Sequence, residues 1–187
     1  MLYLPRMTLG TNILLSRIAA GDNEAFKTLF EMFYPKVKIF LVKFLKDEVV
    51  AQDISQEIFV KIWTYREALP DIRSFNSYIY RMTRNAALNH IRGNRQTMNI
   101  LQTSILDDKD IESDYQTKEK ELLIRLTVEH MPPQRQRIFK MSREQGLSND
   151  DIAIKLGVTK KTVENNITMA LKELRDVILA FLVFFLS

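Results

Sequence analysis

The sequence predicts an all-α protein of two small helical modules joined by an acidic linker, the C-terminal module containing a helix-turn-helix. Three observations predict it. Apolar residues recur at three- and four-residue spacing through most of the chain, which places them on one face of successive helices. Helix boundaries are marked: Asp22, Asp47, Ser74, Ser148 and Thr159 stand where N-caps belong, and Gly21, Gly93, Gly146 and Gly157 where helices stop. Charge also changes sign along the chain, with Lys and Arg in excess in both flanking segments and Asp and Glu in excess across residues 96–121.

Composition narrows the function classes. With 187 residues, 46% of them apolar, the chain has material for packed cores in one domain or two. Cysteine is absent. That removes disulfides, iron–sulfur clusters, thiolate zinc sites and cysteine nucleophiles together, and favours a reducing compartment. His90 and His130 sit in separate helical segments without a carboxylate cluster, so neither reads as a metal ligand or general base. The five glycines are scattered singly and build no phosphate loop. The expectation is therefore no metal, no cofactor, no small-molecule substrate and no enzymatic activity. Two basic segments flanking an acidic strip fit two nucleic-acid-facing modules joined by a segment that nucleic acid repels. The opening residues lack the pattern of a signal peptide, and a cytoplasmic protein is expected.

Residues to about Gly10 read as a loose arm, after which Ile13, Leu14, Leu15 and Ile18 form an amphipathic turn or two. Phe26, Leu29, Phe30 and Phe33 precede Pro35, and Val37, Phe40, Leu41 and Phe44 follow it; the spacing predicts two helices sharing an aromatic core. Asp47 opens a third helix with Val50, Ile54, Ile58, Ile62 and Trp63 inward. Its outer surface carries Asp53, Gln56 and Glu57 within about one turn, a patch suited to a basic protein surface and unsuited to DNA phosphate. A solvated helix face has the same composition. After an irregular passage over Glu67–Ser74, the spacing predicts a helix over Phe75–Arg92. Phe75, Ile79, Met82 and Ala86 face inward there, and Arg81, Arg84, Asn85, Leu88 and Arg92 follow another face. Arginines beside Tyr65, Tyr78 and Tyr80 offer unpaired nucleic acid cations and stacking rings, although tyrosines at this spacing also serve as core or rim residues.

From Asn94 periodicity fades and Asp107, Asp108, Asp110, Glu112 and Asp114 accumulate, which predicts a linker over 94–118 between modules at 11–93 and 119–187. Leu122, Leu123 and Leu126 resume the helical pattern, Met131-Pro132-Pro133 breaks it, and Ile138, Phe139 and Met141 carry the next helix. Leu147–Arg175 is the helix-turn-helix. Ser148 caps its first helix with Asp151 three residues on, and Ile152, Ala153 and Leu156 turn inward. Gly157 makes the turn and Thr159 caps the second helix, whose buried face is Val163, Ile167, Ala170, Leu171 and Leu174. Lys160, Lys161, Thr162, Asn165, Asn166 and Thr168 crowd its first turns, where a recognition helix meets the major groove. The chain then runs through ten apolar residues, Val177–Leu186, too few to span a bilayer. They either extend the last helix against its own module or offer an apolar surface to a partner.

In this order, DISQEIFVKIW, SFNSYIYRMTRNAALNHIR, the acidic linker and MPPQRQRIFKMSREQGLSNDDIAIKLGVTKKTVENNITMALKELR resemble a bacterial extracytoplasmic-function sigma factor over nearly all of residues 12–175. The resemblance implies bacterial core RNA polymerase and promoter DNA as partners, and an anti-sigma factor as a third. It implies that Asp53, Gln56 and Glu57 dock on polymerase. It makes Leu69–Phe75 a loop that takes a flipped base, and Arg73, Phe75, Tyr78, Arg81, Arg84, Asn85 and Arg92 the minus-ten contacts. Lys160–Thr168 would read the minus-thirty-five element in duplex, and the linker would thread toward the RNA exit path. The implied function is to bind core polymerase, direct it to specific promoters and promote melting. The alternative is a helix-turn-helix regulator that binds duplex sites without recruiting polymerase.

Overall fold

The computed structural model describes residues 6–91, 93 and 112–185, and among them every regular element is helical. They form two compact units, the described residues up to 93 with 180–185, and 112–179. The first unit holds α1 (Arg6–Ala19), α2 (Asn23–Leu45), α3 (Glu48–Thr64), a 3-10 helix (Arg66–Asp71) and α4 (Phe75–Ile91). The second holds α5 (Glu112–Glu129), α6 (Pro133–Arg143), α7 (Asn149–Leu156) and α8 (Lys160–Val183) as far as Leu179.

Local chemistry fixes the helix starts in the first unit. The Asp22 carboxylate accepts the N–H groups of Glu24 and Ala25, each at 3.0 Å, and pairs with Arg17. The Ala25 N–H first, then Arg17, hold its carboxyl below the usual range. Asp47 accepts from Val49 and Val50 at 3.0 and 3.1 Å in the same way. Behind these caps Leu15 and Ile18, Leu29, Phe33, Val37 and Leu41, Ile54, Ile58 and Ile62, and Ile79 and Met82 close one core. Aromatic pairs stitch it, Phe30 on Phe59 at 4.8 Å and Phe33 on Phe75 at 4.9 Å.

Four boundaries differ from the sequence expectation. α1 begins at Arg6, so residues 6–9, expected in a loose arm, are helical and Gly10 costs the helix only propensity. Pro35 lies inside a single 23-residue α2 and does not divide two helices. Its ring is on the exposed side, and the buried face from Ala25 to Phe44 passes it unbroken, so tertiary packing outweighs one lost backbone bond. The passage after α3 winds into a 3-10 helix that packs on α1 and buries Leu69 completely. α5 begins at Glu112 within the residues expected to be linker, whose remainder, 94–111, lies outside the described residues.

Burial in the first unit has a readout at high pH. Desolvation pushes the Tyr78 hydroxyl up to about 12 from its ordinary 10.0. A phenol raised on folding stabilises the native state fully below its unfolded value, and that contribution disappears as pH rises through the folded one. Stability should therefore fall by about 2–3 kcal/mol between pH 10 and 12 on this account. Chemical denaturation across that range checks it, with Tyr78→Phe lacking this component.

In the second unit the helix-turn-helix closes as its residues direct. The Ser148 hydroxyl accepts the Asp151 N–H at 3.2 Å and donates to its carboxylate at 2.6 Å. Gly157 takes φ 64, the left-handed region, and its N–H returns to the carbonyls of Ala153 and Ile154. Ile138, Met141, Ile152, Ala153 and Val163 form the core beneath, with Val128, Met131, Ala170 and Leu174 as a second cluster. Arg135 on α6 pairs with Glu173 on α8, both largely shielded from water. Leu171, expected on the buried face, is exposed, because Ala170 and Leu174 already fill the contact with α5.

The apolar tail divides between the units: Val177, itself buried, stays with the second, and the residues from Ala180 pack in the first. Ala180, Phe181 and Phe184 are buried, with Phe181 against Tyr80 at 4.8 Å and Phe184 against Phe40 at 6.0 Å. Among the described residues no helix is long and apolar enough to cross a membrane.

Candidate nucleic-acid interface

The first turns of α8 are built on the Thr159 cap, whose hydroxyl oxygen accepts the Thr162 N–H at 3.1 Å. Lys160, Lys161, Asn165 and Thr168 are exposed, whereas Thr162 and Asn166 are half-buried. The Thr162 hydroxyl lies 2.9 Å from that of Thr159, and the Asn166 amide donates to the Thr162 carbonyl at 2.8 Å. Both therefore spend polar groups on the helix itself. Lys160 bonds the exposed carboxylate of Asp150 at 2.9 Å, and that hydrogen bond, with the attraction of the two charges, holds its ammonium above its ordinary pKa. What faces outward as one stripe is Lys161, Asn165 and Thr168, continued by exposed Lys172 one further turn along.

Sequence reasoning missed Lys172, although its eleven-residue offset from Lys161 places it on the same face. It also missed Arg137, Lys140 and Lys155. These line a cavity of about 510 Å³ between α6 and α7 with Pro133, Gln136, Met141 and Gln145, a wall of three cations without an acid. In a helix-turn-helix the helix preceding the recognition helix crosses the phosphate backbone, so cations here suit phosphate. Only the folded pairing of α6 with α7 brings them together.

The first unit presents two different surfaces. On α3, Asp53, Gln56 and Glu57 are exposed, flanked by Val49 and Val60, which are 71% and 64% exposed. Carboxylates between unshielded valines repel DNA and suit a basic, partly apolar protein surface. On α4, Arg81, Arg84 and Asn85 are half-buried and Arg73 is exposed just before the helix. Arg84 donates from Nε and Nη2 to the Asn85 side-chain oxygen at 3.2 and 3.0 Å, and its guanidinium stands 6.0 Å from the Tyr80 ring.

Two of the expected minus-ten contacts lie in the core of this unit. Phe75 and Tyr78 are 3% and 2% exposed, with Phe75 wedged between Phe33 and Tyr78, so their rings fill the core and present no face to a base. Tyr80 is also fully buried. Tyr65 remains an exposed ring. Arg92 lies outside the described residues. Among those described, no cluster of three acidic or imidazole side chains could hold a metal ion.

A capped recognition helix with an outward stripe of lysines, amide and hydroxyl makes this a helix-turn-helix DNA-binding protein. Residues 29–97 match Sigma-70 region 2, and residues 121–174 match Sigma-70, region 4. The RNA polymerase sigma-H factor of Pseudomonas aeruginosa is 30% identical over 172 residues, which cover 84% of this chain and 88% of that one. The RNA polymerase sigma factor SigZ of Bacillus subtilis is 25% identical over 150 residues, 80% of this chain and 85% of that one. The ECF RNA polymerase sigma factor RpoE of Cereibacter sphaeroides is 24% identical over 160 residues, 83% and 87% of the two chains. The chain belongs to the extracytoplasmic-function sigma factors of the sigma-70 family, and it directs RNA polymerase to promoters.

Proposed function

We propose that three faces divide the work of this sigma factor. The acidic and apolar face of α3, with Asp53, Gln56 and Glu57, docks on core RNA polymerase. The α8 stripe of Lys161, Asn165, Thr168 and Lys172 reads the minus-thirty-five duplex, with Lys160, Thr162 and Asn166 shaping the turn beside it. Arg73, Arg81, Arg84 and Asn85 hold the melted minus-ten strand. Melting follows from preference for unpaired bases that the duplex conceals, so it needs no nucleotide hydrolysis by this chain. An anti-sigma factor is the third partner, competing for these faces in the cytoplasm where polymerase works. The observation that carries the division is the sign of the surfaces: carboxylates exposed on α3, cations and amides exposed on α8.

The strand-holding role has its own test. Holoenzyme carrying Arg84→Ala with Asn85→Ala should still bind promoter duplex but should open it at least about tenfold less, since a hydrogen bond to a charged group is worth about 1.5–3 kcal/mol. Permanganate reactivity of unpaired thymines reads the opening. Normal opening by the double variant contradicts the assignment.

A further inference from the structure

The apolar tail lies beyond the region 4 match, which ends at residue 174, and nothing in that match accounts for where it sits. Its residues from Ala180 belong to the N-terminal unit. Three of its rings converge there on one ring of α4: Phe181, Phe184 and Phe185 meet Tyr80 at 4.8, 5.6 and 5.9 Å, at steep interplanar angles. Phe40 meets the same ring at 5.5 Å and Phe184 at 6.0 Å. The guanidinium of Arg84 stands 6.0 Å from the same Tyr80 ring, and Arg81 is the next residue along the helix. An aromatic ring with a guanidinium beside it is the arrangement on which unpaired bases stack. The tail's phenyl rings, flat and apolar, occupy that place.

We propose that the tail is an intramolecular cover over a base-stacking platform at Tyr80, and that the tail and the melted promoter strand compete for it. The proposal rests on α4 being the strand-holding helix. Packing makes the cover separable from the fold beneath. The tail's rings rest on Tyr80 and Phe40, and the tail's own outer side is open, with Val183 36% exposed. While the tail is seated, strand affinity is lowered by the fraction of molecules in which the platform is open. Reciprocity then requires that a bound strand expel the tail.

The test uses the full chain, alone and with core polymerase, and a fluorescein-labelled mixed-sequence single-stranded DNA of about 15 nucleotides. Phe181→Asp with Phe184→Asp places charge where the aromatic face rejects it. This variant, with helical content unchanged, should bind the strand at least about tenfold more tightly than the natural chain, and adding Arg84→Ala should remove the gain. A folded variant with unaltered affinity overturns the cover. In that case strand binding by holoenzyme that still depends on Arg84 leaves the α4 reading standing, whereas indifference to Arg84→Ala sinks that reading and the cover with it. A second measurement leaves the rings intact: the chain has no cysteine, so Val183→Cys takes a single environment-sensitive dye. Strand binding should shift its emission toward that of the dye in water, and a bound strand with unchanged emission overturns the proposal even if the aspartate variant fails to fold.

Discussion

Asp53→Lys combined with Glu57→Lys should abolish assembly with core RNA polymerase while leaving the protein folded. The two carboxylates are exposed four residues apart on α3, so they share a face and neither supports the core. Surface replacements of that kind change stability by about 0.5 kcal/mol or less. At an interface the same change replaces two attractive contacts with two like-charge contacts, each costing several kcal/mol. Affinity for core should fall at least about a hundredfold, which is only about 2.7 kcal/mol. Fluorescence titration of labelled protein with core polymerase measures it, beside a thermal melt of the free variant. Unaltered affinity would place the docking surface elsewhere.

Lys161→Ala with Asn165→Ala should weaken binding to promoter duplex by about ten- to a thousandfold. A side chain bonded to a base edge contributes about 1–3 kcal/mol of discrimination, and a lysine on phosphate contributes a salt-dependent term. The two changes separate by their signatures. Asn165→Ala should relax preference at one base position, and Lys161→Ala should lower the salt slope by about one while weakening all sequences alike. Asn166→Ala is the internal contrast, because its amide already serves the Thr162 carbonyl, and it should stay within about threefold of the natural protein. If Asn166 rather than Asn165 dominates promoter binding, the outward face of α8 is misassigned.

The helix-turn-helix was legible in the sequence because it is specified locally. The Ser148 and Thr159 caps and the left-handed Gly157 each act within four residues, and all three close as the sequence directs. Pro35 failed as a boundary because the penalty it signals is local, while the buried face from Ala25 to Phe44 that overrides it is tertiary. The tyrosines of α4 are decided by tertiary contacts in the same way. Tyr78 and Tyr80 follow a spacing that fits an outward stacking surface, but one joins the core beside Phe75 and the other is covered by rings about a hundred residues away in sequence. No window along the chain contains that contact. Lys172 and the cationic wall of Arg137, Lys140 and Lys155 lie between these cases: the first needed only helical arithmetic, the second needed α6 and α7 brought together.

Run-off transcription from genomic promoter fragments, with purified bacterial core RNA polymerase in the presence and absence of this protein, tests the central claim most directly. Discrete transcripts that appear only when the protein is added, and that are lost with Asp53→Lys and Glu57→Lys, are the result the account predicts. A protein that shifts promoter duplex cleanly by itself, yet yields no new transcript with core polymerase, would contradict it and leave an ordinary helix-turn-helix regulator in its place.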